Sequence, residues 1–304
     1  MSRLTSKLRV GTDCSGIEAP IQALKKLKIP IHHVFASEID KHCIDSIEAN
    51  YNPDIIYPDM KNRNVKEIPD IDLYICGFPC QPFSSAGLRL GTQDNRGNVF
   101  LHCLKVIKAK TPSYFVLENV KGLLHIDGGN TFKHIIKLLK TLKDYDVFWT
   151  TLNTKDYGIP QNRERVYIVG VKKSIDLSFY WPEPVKKCKS LAKFIDTSDT
   201  TRDSCPALVK QMLKNIPADS VFVNTSFRQN SHINANEICP CLTTSSSSFW
   251  CVPMGRKMNP TEMLAIQGFP SSFKQVVSDS QMKKQIGNSM SVNVLVHIFK
   301  SLNL

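Results

Sequence analysis

The chain has 304 residues, of which 42% are hydrophobic and 22% are charged, which is an ordinary composition for a globular protein. Its net charge of +12 and its isoelectric point near 9.2 favour a polyanionic partner, with nucleic acid as the first candidate. No apolar run approaches the ~20 residues that span a bilayer, and "MSRLTSKLRVGTDCSG" at the start has no apolar signal-peptide core, so we expect an intracellular protein without membrane contact.

The spacing of the ten cysteines argues against both zinc and disulfides. Cys76 and Cys80 are separated by three residues, and Cys239 and Cys241 by one, so the sequence has no CxxC pair. An intracellular location also keeps thiols reduced. We therefore expect no metal, and we expect most of these cysteines to be buried as small hydrophobic residues.

Short β-branched runs alternate with helical patterns through the first 171 residues. Strands are predicted at residues 7–13, 32–38, 72–78, 113–120, 146–153 and 165–171. Helices are predicted at residues 19–28, 40–51 and 130–143. This alternation predicts an α/β protein with a doubly wound, mostly parallel sheet. Ligands bind such sheets at the carboxyl ends of the strands.

The alternation stops after residue 171, where prolines, serines and asparagines become frequent. We predict three parts: a catalytic and cofactor-binding domain at 1–171, a smaller domain at 172–255, and a return segment at 256–304. A helix is predicted at 259–270, with Asn259 as its N-cap and Pro260 at its first position. A final amphipathic helix at 288–302 is expected to pack against the first domain.

Three successive strand ends carry residues suited to an adenosine-containing ligand. Gly16 lies in "TDCSGIEAP", a turn from strand to helix that would let a ligand approach the backbone. Glu38 could accept hydrogen bonds from ribose hydroxyls, and Asp59 could accept one from the exocyclic amine of adenine. The turn has one glycine, and Glu18 would repel a pyrophosphate, so a dinucleotide is disfavoured.

Cys80 follows a predicted strand in "GFPCQPFSSAG" (77–87), which favours a nucleophile over an inert core thiol. Glu118 ends another strand in "FVLENV", and Arg163 and Arg165 precede a further one in "QNRER". If these side chains meet at one sheet edge, the site is electropositive and favours the thiolate form of Cys80.

These motifs, in this order and spacing, resemble those of the DNA (cytosine-5)-methyltransferases, and the resemblance covers about three quarters of the chain. "GFPCQPFSSAG" resembles the Pro-Cys motif of that family, "ENV" its acidic motif, and "QNRER" its Gln-x-Arg-x-Arg motif. "QIGNSMSVNVL" (285–295) resembles the terminal Gly-Asn-Ser motif. The resemblance implies a Rossmann-like methyltransferase fold with S-adenosyl-L-methionine as cofactor, and it makes residues 172–255 a target-recognition domain.

The resemblance also implies a reaction and its catalytic residues. A methyl group would pass to carbon 5 of a cytosine flipped out of a specific double-stranded DNA sequence. Cys80 would add to carbon 6 of the ring, and Glu118 would bond its N3 edge and exocyclic amine. Arg163 and Arg165 would steady the base carbonyl and the developing charge. We expect a compact monomer.

The remaining site residues carry over by position in the motifs. The resemblance implies that the cofactor is held by Asp13, Cys14, Ser15, Gly16, Ile17, Glu38, Ile39, Asp59, Met60, Gly77, Pro79, Asn288 and Ser289. The loop from Gln81 to Arg96 is expected to close over the flipped base, and "FRQNSH" (227–232) to read base edges. The DNA-binding residues so predicted are Gln81, Ser84, Ser85, Arg89, Arg96, Arg228, Gln229 and Asn230.

The chain departs from the family pattern in the first motif. Cys14-Ser15-Gly16-Ile17-Glu18 stands where the family has Phe-x-Gly-x-Gly, so the aromatic that stacks on adenine and the second glycine are both replaced. The departure predicts either a lower cofactor affinity or compensation by another aromatic. Two alternatives stay open: a tRNA cytosine-5 methyltransferase, and a DNA-binding protein without catalytic activity.

Overall fold

The computed structural model describes residues 7–80, 98–214, 216–217, 219–225, 237–244 and 249–304. Its main sheet has seven strands: β1 (Leu8–Asp13), β2 (Ile31–Ser37), β3 (Ile55–Tyr57), β4 (Leu73–Cys76), β5 (Tyr114–Val120), β6 (Tyr145–Asn153) and β7 (Glu164–Lys172). Their order across the sheet is β3-β2-β1-β4-β5-β7-β6. The pairs from β3 to β5 are parallel, whereas β7 is antiparallel to β5 and to β6. The predicted mostly parallel sheet is confirmed.

Helices cover both faces of this sheet, as expected for a doubly wound fold. The α-helices in the described residues are α1 (Ala19–Lys26), α2 (Lys41–Asn50), α3 (Asn98–Lys110), α4 (Asn130–Leu139), α5 (Ala207–Leu213), α6 (Pro260–Gln267), α7 (Asp279–Asn288) and α8 (Val292–Ser301). One buried apolar cluster joins α1 and α8 to the sheet, and a second joins α3 and α4 to its opposite face. No helix in the described ranges is long and apolar enough to cross a membrane.

Residues 172–257 include a small antiparallel sheet in the order β10-β9-β8, formed by β8 (Phe222–Asn224), β9 (Phe249–Cys251) and β10 (Arg256–Lys257). Phe222 and Phe249 are buried in the same apolar cluster as α1 and α8. The small sheet is therefore continuous with one core of the large sheet. The division of the chain at residues 171 and 255 stays a prediction.

Most predicted elements lie where the sequence places them, with ends shifted by a few residues. The cap of α6 is confirmed, because Asn259 and Glu262 form a reciprocal capping box ahead of Pro260. The helix predicted at 288–302 is wrong in its start: α7 ends at Asn288 and α8 begins at Val292. Ser289 and Ser291 are extended between them, and the Ser291 hydroxyl bonds the hydroxyl of Thr154 at 2.5 Å.

All ten cysteines are free thiols, and five of them are buried: Cys43, Cys76, Cys103, Cys239 and Cys251. Cys188 is exposed and the other four are half-buried. The expectation of burial is thus met by half of the set. Within the described residues, no group of three or more His, Cys, Asp or Glu side chains could hold a metal ion.

A buried ion pair joins the small sheet to α6. The two terminal nitrogens of Arg256 donate to the two carboxylate oxygens of Glu262 at 2.9 and 3.0 Å, and both side chains are buried. Arg256 also donates to the backbone oxygens of Asp196 and Asp199. The pair therefore fixes the segment at 196–199 against the start of α6.

Replacing Glu262 with alanine should lower the free energy of unfolding by about 3 kcal/mol, because Arg256 loses its buried acid and keeps only the partly exposed Asp199, 3.2 Å from its Nε, as an ionic partner. Urea denaturation followed by circular dichroism measures this loss. The matched control is Glu48→Ala on the exposed side of α2, which should stay within about 0.5 kcal/mol of the wild type. An equal effect of both changes would contradict the assignment.

Candidate active site

Three neighbouring strands bring the predicted catalytic residues to one edge of the large sheet. Cys80 follows the carboxyl end of β4, and Glu118 lies near the carboxyl end of β5. Since β7 runs in the opposite direction, its first residues lie at that same edge, where Arg165 pairs with Val120. Residues that are far apart in sequence are therefore neighbours through strand order alone.

Glu118 and Arg165 form an ion pair at this edge, with 3.3 Å between Arg165 Nε and Glu118 Oε1. The contact is an ion pair without hydrogen-bond geometry, and Glu118 Oε1 has no hydrogen-bond partner among the described residues. Burial raises the pKa of Glu118, and the positive charges of Arg165 and Arg163 oppose that rise. The carboxyl group therefore takes up a proton readily and keeps an oxygen free for a ligand.

Asn119 ties the loop that carries Cys80 to β5. Its side-chain Nδ2 donates to the backbone oxygen of Phe78 at 2.7 Å, and its Oδ1 accepts from the backbone N–H of Val120 at 2.9 Å. Asn119 is buried, so both bonds are shielded from water. The backbone two residues before Cys80 is thereby fixed next to the strand that presents Glu118.

Gly77 lies at a crowded point of the same loop. A Cβ atom at this position would come within 2.9 Å of Met290 Cε and 3.8 Å of Glu118 Oε2. A side chain here would have to displace Met290, which belongs to the return segment. The glycine therefore permits close contact between the Cys80 loop, Glu118 and Met290.

The Cys80 thiol is half-buried, and burial raises its pKa. The sequence predicts an electropositive site that favours thiolate, and the direction found in the structure is the opposite. Neither arginine lowers the pKa of Cys80, because Arg165 is paired with Glu118 and Arg163 donates to the backbone oxygen of Leu242. Burial therefore disfavours the thiolate form of Cys80.

Arg163 is buried and donates to three backbone oxygens from distant parts of the chain. Its Nη1 donates to Leu242 at 2.7 Å, and its Nη2 donates to Gly287 at 3.1 Å and to Ser289 at 2.5 Å. Burial lowers the pKa of Arg163, with the nearby charge of Arg165 adding to the effect. The guanidinium thus joins Leu242 to the end of α7 and to the turn that follows it. Of the two arginines, Arg165 is the one that contacts Glu118.

Gln161 extends this connection on the same side. Its amide nitrogen donates to the backbone oxygen of Ile266 at 3.0 Å and to the side-chain oxygen of Gln267 at 2.7 Å. Gln267 in turn donates to the backbone oxygens of Ile286 and Ser289, both at 3.0 Å. Two buried glutamine side chains therefore orient the end of α7 and the turn that follows it.

The turns after β1 and β2 are joined through Glu38. One carboxylate oxygen accepts from the backbone N–H of Gly16 at 2.8 Å, and the other accepts from the backbone N–H groups of Ile39 and Asp40 at 2.8 and 3.0 Å. Gly16 has a φ of 55° with open space where a Cβ would be. Next to it the Ile39 side chain is 74% exposed. An open backbone turn, a carboxylate and an apolar surface therefore lie together.

Several other predicted cofactor residues are engaged with the protein itself. Asp13 is buried and accepts from Tyr74 Oη at 2.6 Å and from Arg63 Nη2 at 2.5 Å, and burial raises its pKa although Arg63 opposes the rise. The Ser15 hydroxyl oxygen accepts from the backbone N–H of Ser37 at 3.1 Å. Asp59 accepts from the backbone N–H of Lys61 at 2.9 Å, as in an Asx turn.

The remaining predicted cofactor residues differ in exposure. Cys14 is half-buried with a φ of 50°. Asn288 and Pro79 are exposed. Ile17, Met60 and Ser289 are buried. The predicted DNA-binding residues Gln81, Ser84, Ser85, Arg89, Arg96, Arg228, Gln229 and Asn230 lie outside the described residues.

Two residues that shape the site carry no signal that the sequence pattern could reveal. Arg63 comes from an irregular loop and stacks over the rings of Phe35 and Tyr57 while it pairs with Asp13. Gln267 ends a helix whose sequence indicates packing only. Asn119 did have a signal, since a polar side chain beside Glu118 at the end of a buried strand needs a partner.

The chain matches the family described as C-5 cytosine-specific DNA methylase over residues 13–247 and 185–303. It is 37% identical over 276 residues to the Type II methyltransferase M.NgoBI of Neisseria gonorrhoeae, covering 86% of this chain and 83% of that protein. It is also 37% identical over 276 residues to M.HaeII of Haemophilus aegyptius, covering 89% and 85%.

Solved structures agree in fold. The S. pombe Dnmt2 methyltransferase aligns with a TM-score of 0.74 at 20% identity over 98% of this chain and 100% of that chain. A putative DNA modification methyltransferase encoded within an E. coli prophage aligns with a TM-score of 0.72 at 22% identity, covering 98% and 99%. The predicted Rossmann-like methyltransferase fold is therefore confirmed.

The raised pKa of Glu118 should make stability depend on pH. Below about pH 4, near the unfolded pKa of glutamate, the residue is protonated in the folded and the unfolded state, so its ionisation does not change the free energy of unfolding. As the pH rises toward the folded pKa, the unfolded chain loses this proton first, so the wild type should lose free energy of unfolding relative to Glu118→Gln. Urea titrations of both proteins between pH 4 and pH 8 measure the gap. A gap that changes in the other direction would show that Arg165 outweighs burial.

Proposed function

This chain belongs to the C-5 cytosine-specific DNA methylase family, and we propose that it transfers a methyl group from S-adenosyl-L-methionine to carbon 5 of a cytosine in a specific sequence of double-stranded DNA. The observation that carries the proposal is the convergence of the Cys80 loop with the Glu118–Arg165 pair at one sheet edge. The Type II methyltransferase names of the relatives support a role in restriction–modification.

The cofactor would lie against the turns after β1 and β2. Glu38 accepts three backbone hydrogen bonds, which leaves about one of the roughly four acceptor sites of its carboxylate for a ribose hydroxyl. Ile39 offers its exposed side chain to an adenine ring, and the open Gly16 turn admits a ligand next to the backbone. When bound, S-adenosyl-L-methionine supplies an electrophilic methyl group.

Cys80 would activate the cytosine by covalent addition. Carbon 5 of cytosine is a poor nucleophile, and addition of the Cys80 sulfur to carbon 6 pushes an electron pair toward carbon 5 and N3. Because burial raises the pKa of Cys80, the thiol proton has to leave as the base enters the site. After carbon 5 has received the methyl group, loss of its proton and cleavage of the sulfur–carbon bond restore the aromatic ring and free Cys80.

Glu118 would stabilise the charge that develops on the ring. A carboxyl group with a raised pKa can carry a proton and donate it as a hydrogen bond to N3 while its other oxygen accepts from the exocyclic amine. Arg165, 3.3 Å from Glu118, would fix the carboxyl orientation and donate to the base carbonyl. Arg163 would act through the backbone at 287–289.

A flipped base is required, since carbon 6 is inaccessible in a stacked duplex. The net charge of +12 supports contacts with the phosphate backbone. We assign the covering of the flipped base to the loop at 81–96, and sequence reading to the domain at 172–255. Arg228, Gln229 and Asn230 are the proposed readers of base edges.

Methyl transfer should be lost in Cys80→Ser, because a serine hydroxyl is a far weaker nucleophile than a thiolate. Incorporation of tritiated methyl groups from S-adenosyl-L-methionine into random duplex DNA and into tRNA, with wild type and variant side by side, measures it. Bisulfite sequencing of the labelled DNA identifies the sequence context. Label in tRNA alone, or none in any nucleic acid, would overturn the proposal.

Duplexes that contain 5-fluorocytosine test the covalent step separately. The fluorine replaces the proton that must leave carbon 5, so the Cys80 adduct should persist and migrate as a denaturation-resistant protein–DNA band. Cys80→Ser should give no such band. A trapped adduct in the serine variant would mean that another residue is the nucleophile.

Asn119→Ala should lower kcat by about tenfold or more, because the Phe78 carbonyl loses its buried donor and the Cys80 loop its fixed position. The KM for S-adenosyl-L-methionine should change little, since Asn119 does not touch the Gly16 turn. Asn119→Asp is the more specific variant, because aspartate keeps the shape of the side chain and removes only the N–H donor to Phe78. Wild-type kcat in both variants would exclude a positioning role.

A further inference from the structure

Glu18 occupies the position at which the family pattern has its second glycine, and its backbone keeps the glycine conformation. Its φ and ψ are 58° and 46°, in the left-handed region that a residue with a side chain rarely adopts. The residue is fully buried and immediately precedes α1. A side chain and a charge have therefore been added at a point where neither is favourable by itself.

The Glu18 carboxylate faces the interior, between β1 and β2. Its Oε1 accepts from the hydroxyl of Thr12 at 2.6 Å, and His33 Nε2 lies 3.4 Å from the same oxygen. Thr12 and His33 are buried as well. Glu18 Oε2 and His33 Nδ1 have no hydrogen-bond partner among the described residues. Glu18, Thr12 and His33 thus form a buried polar cluster in which two polar atoms make no hydrogen bond to the described residues.

This cluster is connected to the turn that would hold the cofactor. With the Thr12 proton on Glu18, the Ser15 hydroxyl donates to the Thr12 hydroxyl oxygen at 2.9 Å, and its own oxygen accepts from the backbone N–H of Ser37 at 3.1 Å. The next residue, Gly16, donates its N–H to Glu38. A continuous series of hydrogen bonds therefore runs from Glu18 through Thr12 and Ser15 to the turn that contains Gly16.

A structural role alone does not account for this arrangement. Glycine would adopt the left-handed backbone at lower cost, and an apolar side chain would avoid an unsatisfied buried carboxylate oxygen. The turn at residues 14–18 combines two such costs, because Cys14 also has a positive φ of 50° and Glu18 Oε2 has no hydrogen-bond partner among the described residues. Strain of this kind is found at sites in which geometry matters to function. The turn in question is the one against which the cofactor is proposed to lie.

We infer that Glu18, together with Thr12 and His33, is a positioning residue for S-adenosyl-L-methionine: it holds residues 14–18 from the interior side so that Gly16 and Glu38 are presented to the cofactor. The inference rests on the proposed function. It also explains how the chain dispenses with the second glycine, because hydrogen bonds to the carboxylate hold the left-handed backbone. The carboxyl group itself faces the interior, next to Thr12 and His33.

Isothermal titration of the full-length protein with S-adenosyl-L-homocysteine tests the inference without turnover. Glu18→Ala removes the acceptor and should raise the dissociation constant by about tenfold or more, as expected for a lost buried hydrogen bond. Glu18→Gln keeps an oxygen for Thr12 and should recover most of the affinity. Glu18→Gly supplies the easy backbone without the acceptor, and it should bind as weakly as the alanine variant.

Kinetics with duplex DNA provide the second readout. Glu18→Ala should raise the KM for S-adenosyl-L-methionine while kcat at saturating cofactor stays near the wild-type value, whereas general loosening of the fold would lower kcat too. Glu262→Gln is the matched control, because that glutamate is equally buried but belongs to the separate Arg256 network. It should lower the melting temperature and leave the dissociation constant unchanged.

The outcomes separate this inference from the proposed function. If the wild type fails to bind S-adenosyl-L-homocysteine and to methylate DNA, the proposed function fails. If the wild type binds and the alanine and glycine variants bind equally well, Glu18 has no positioning role and the inference is overturned. A variant that folds poorly is measured by its ligand-induced rise in melting temperature, which reports affinity at the temperature of unfolding.

Discussion

The antiparallel register of β5 and β7 is the constraint on which the site depends. Arg165 pairs with Val120, two residues after Glu118, so the acid and its cation face each other across neighbouring strands. In a sheet that was parallel throughout, the start of β7 would lie at the opposite edge and no arginine of "QNRER" could reach the carboxylate. Because β7 runs antiparallel to β5, the "QNRER" segment at the start of β7 lies at the same edge as the carboxyl ends of β4 and β5.

A second requirement is that segments far apart in sequence are held in contact by buried hydrogen bonds. The buried Arg163 guanidinium bonds backbone oxygens at Leu242, Gly287 and Ser289, and Gln161 reaches Gln267. Residue 287 must be a glycine, because a Cβ there would come within 2.3 Å of the Thr243 backbone. One set of buried polar contacts therefore holds Leu242, the end of α7 and the start of β7 together.

The sequence predicted the sheet class, the order of most elements, and the placing of the Cys80 loop, Glu118 and Arg165 at one edge of the sheet. Periodicity and motif spacing suffice for these because strand ends of a parallel sheet share an edge. It did not predict the direction of the Cys80 pKa, which depends on where each arginine points. The break between α7 and α8 was missed because Ser291 bonds Thr154, a partner 137 residues away. Arg63 and Gln267 were missed because their partners are set by tertiary contacts alone.

The raised pKa of Cys80 has a consequence for the resting protein. Oxidants and alkylating agents attack the thiolate form of cysteine, and burial disfavours that form of Cys80. On the proposed mechanism, the same burial that opposes the start of the reaction would also slow chemical modification of this sulfur while no substrate is bound.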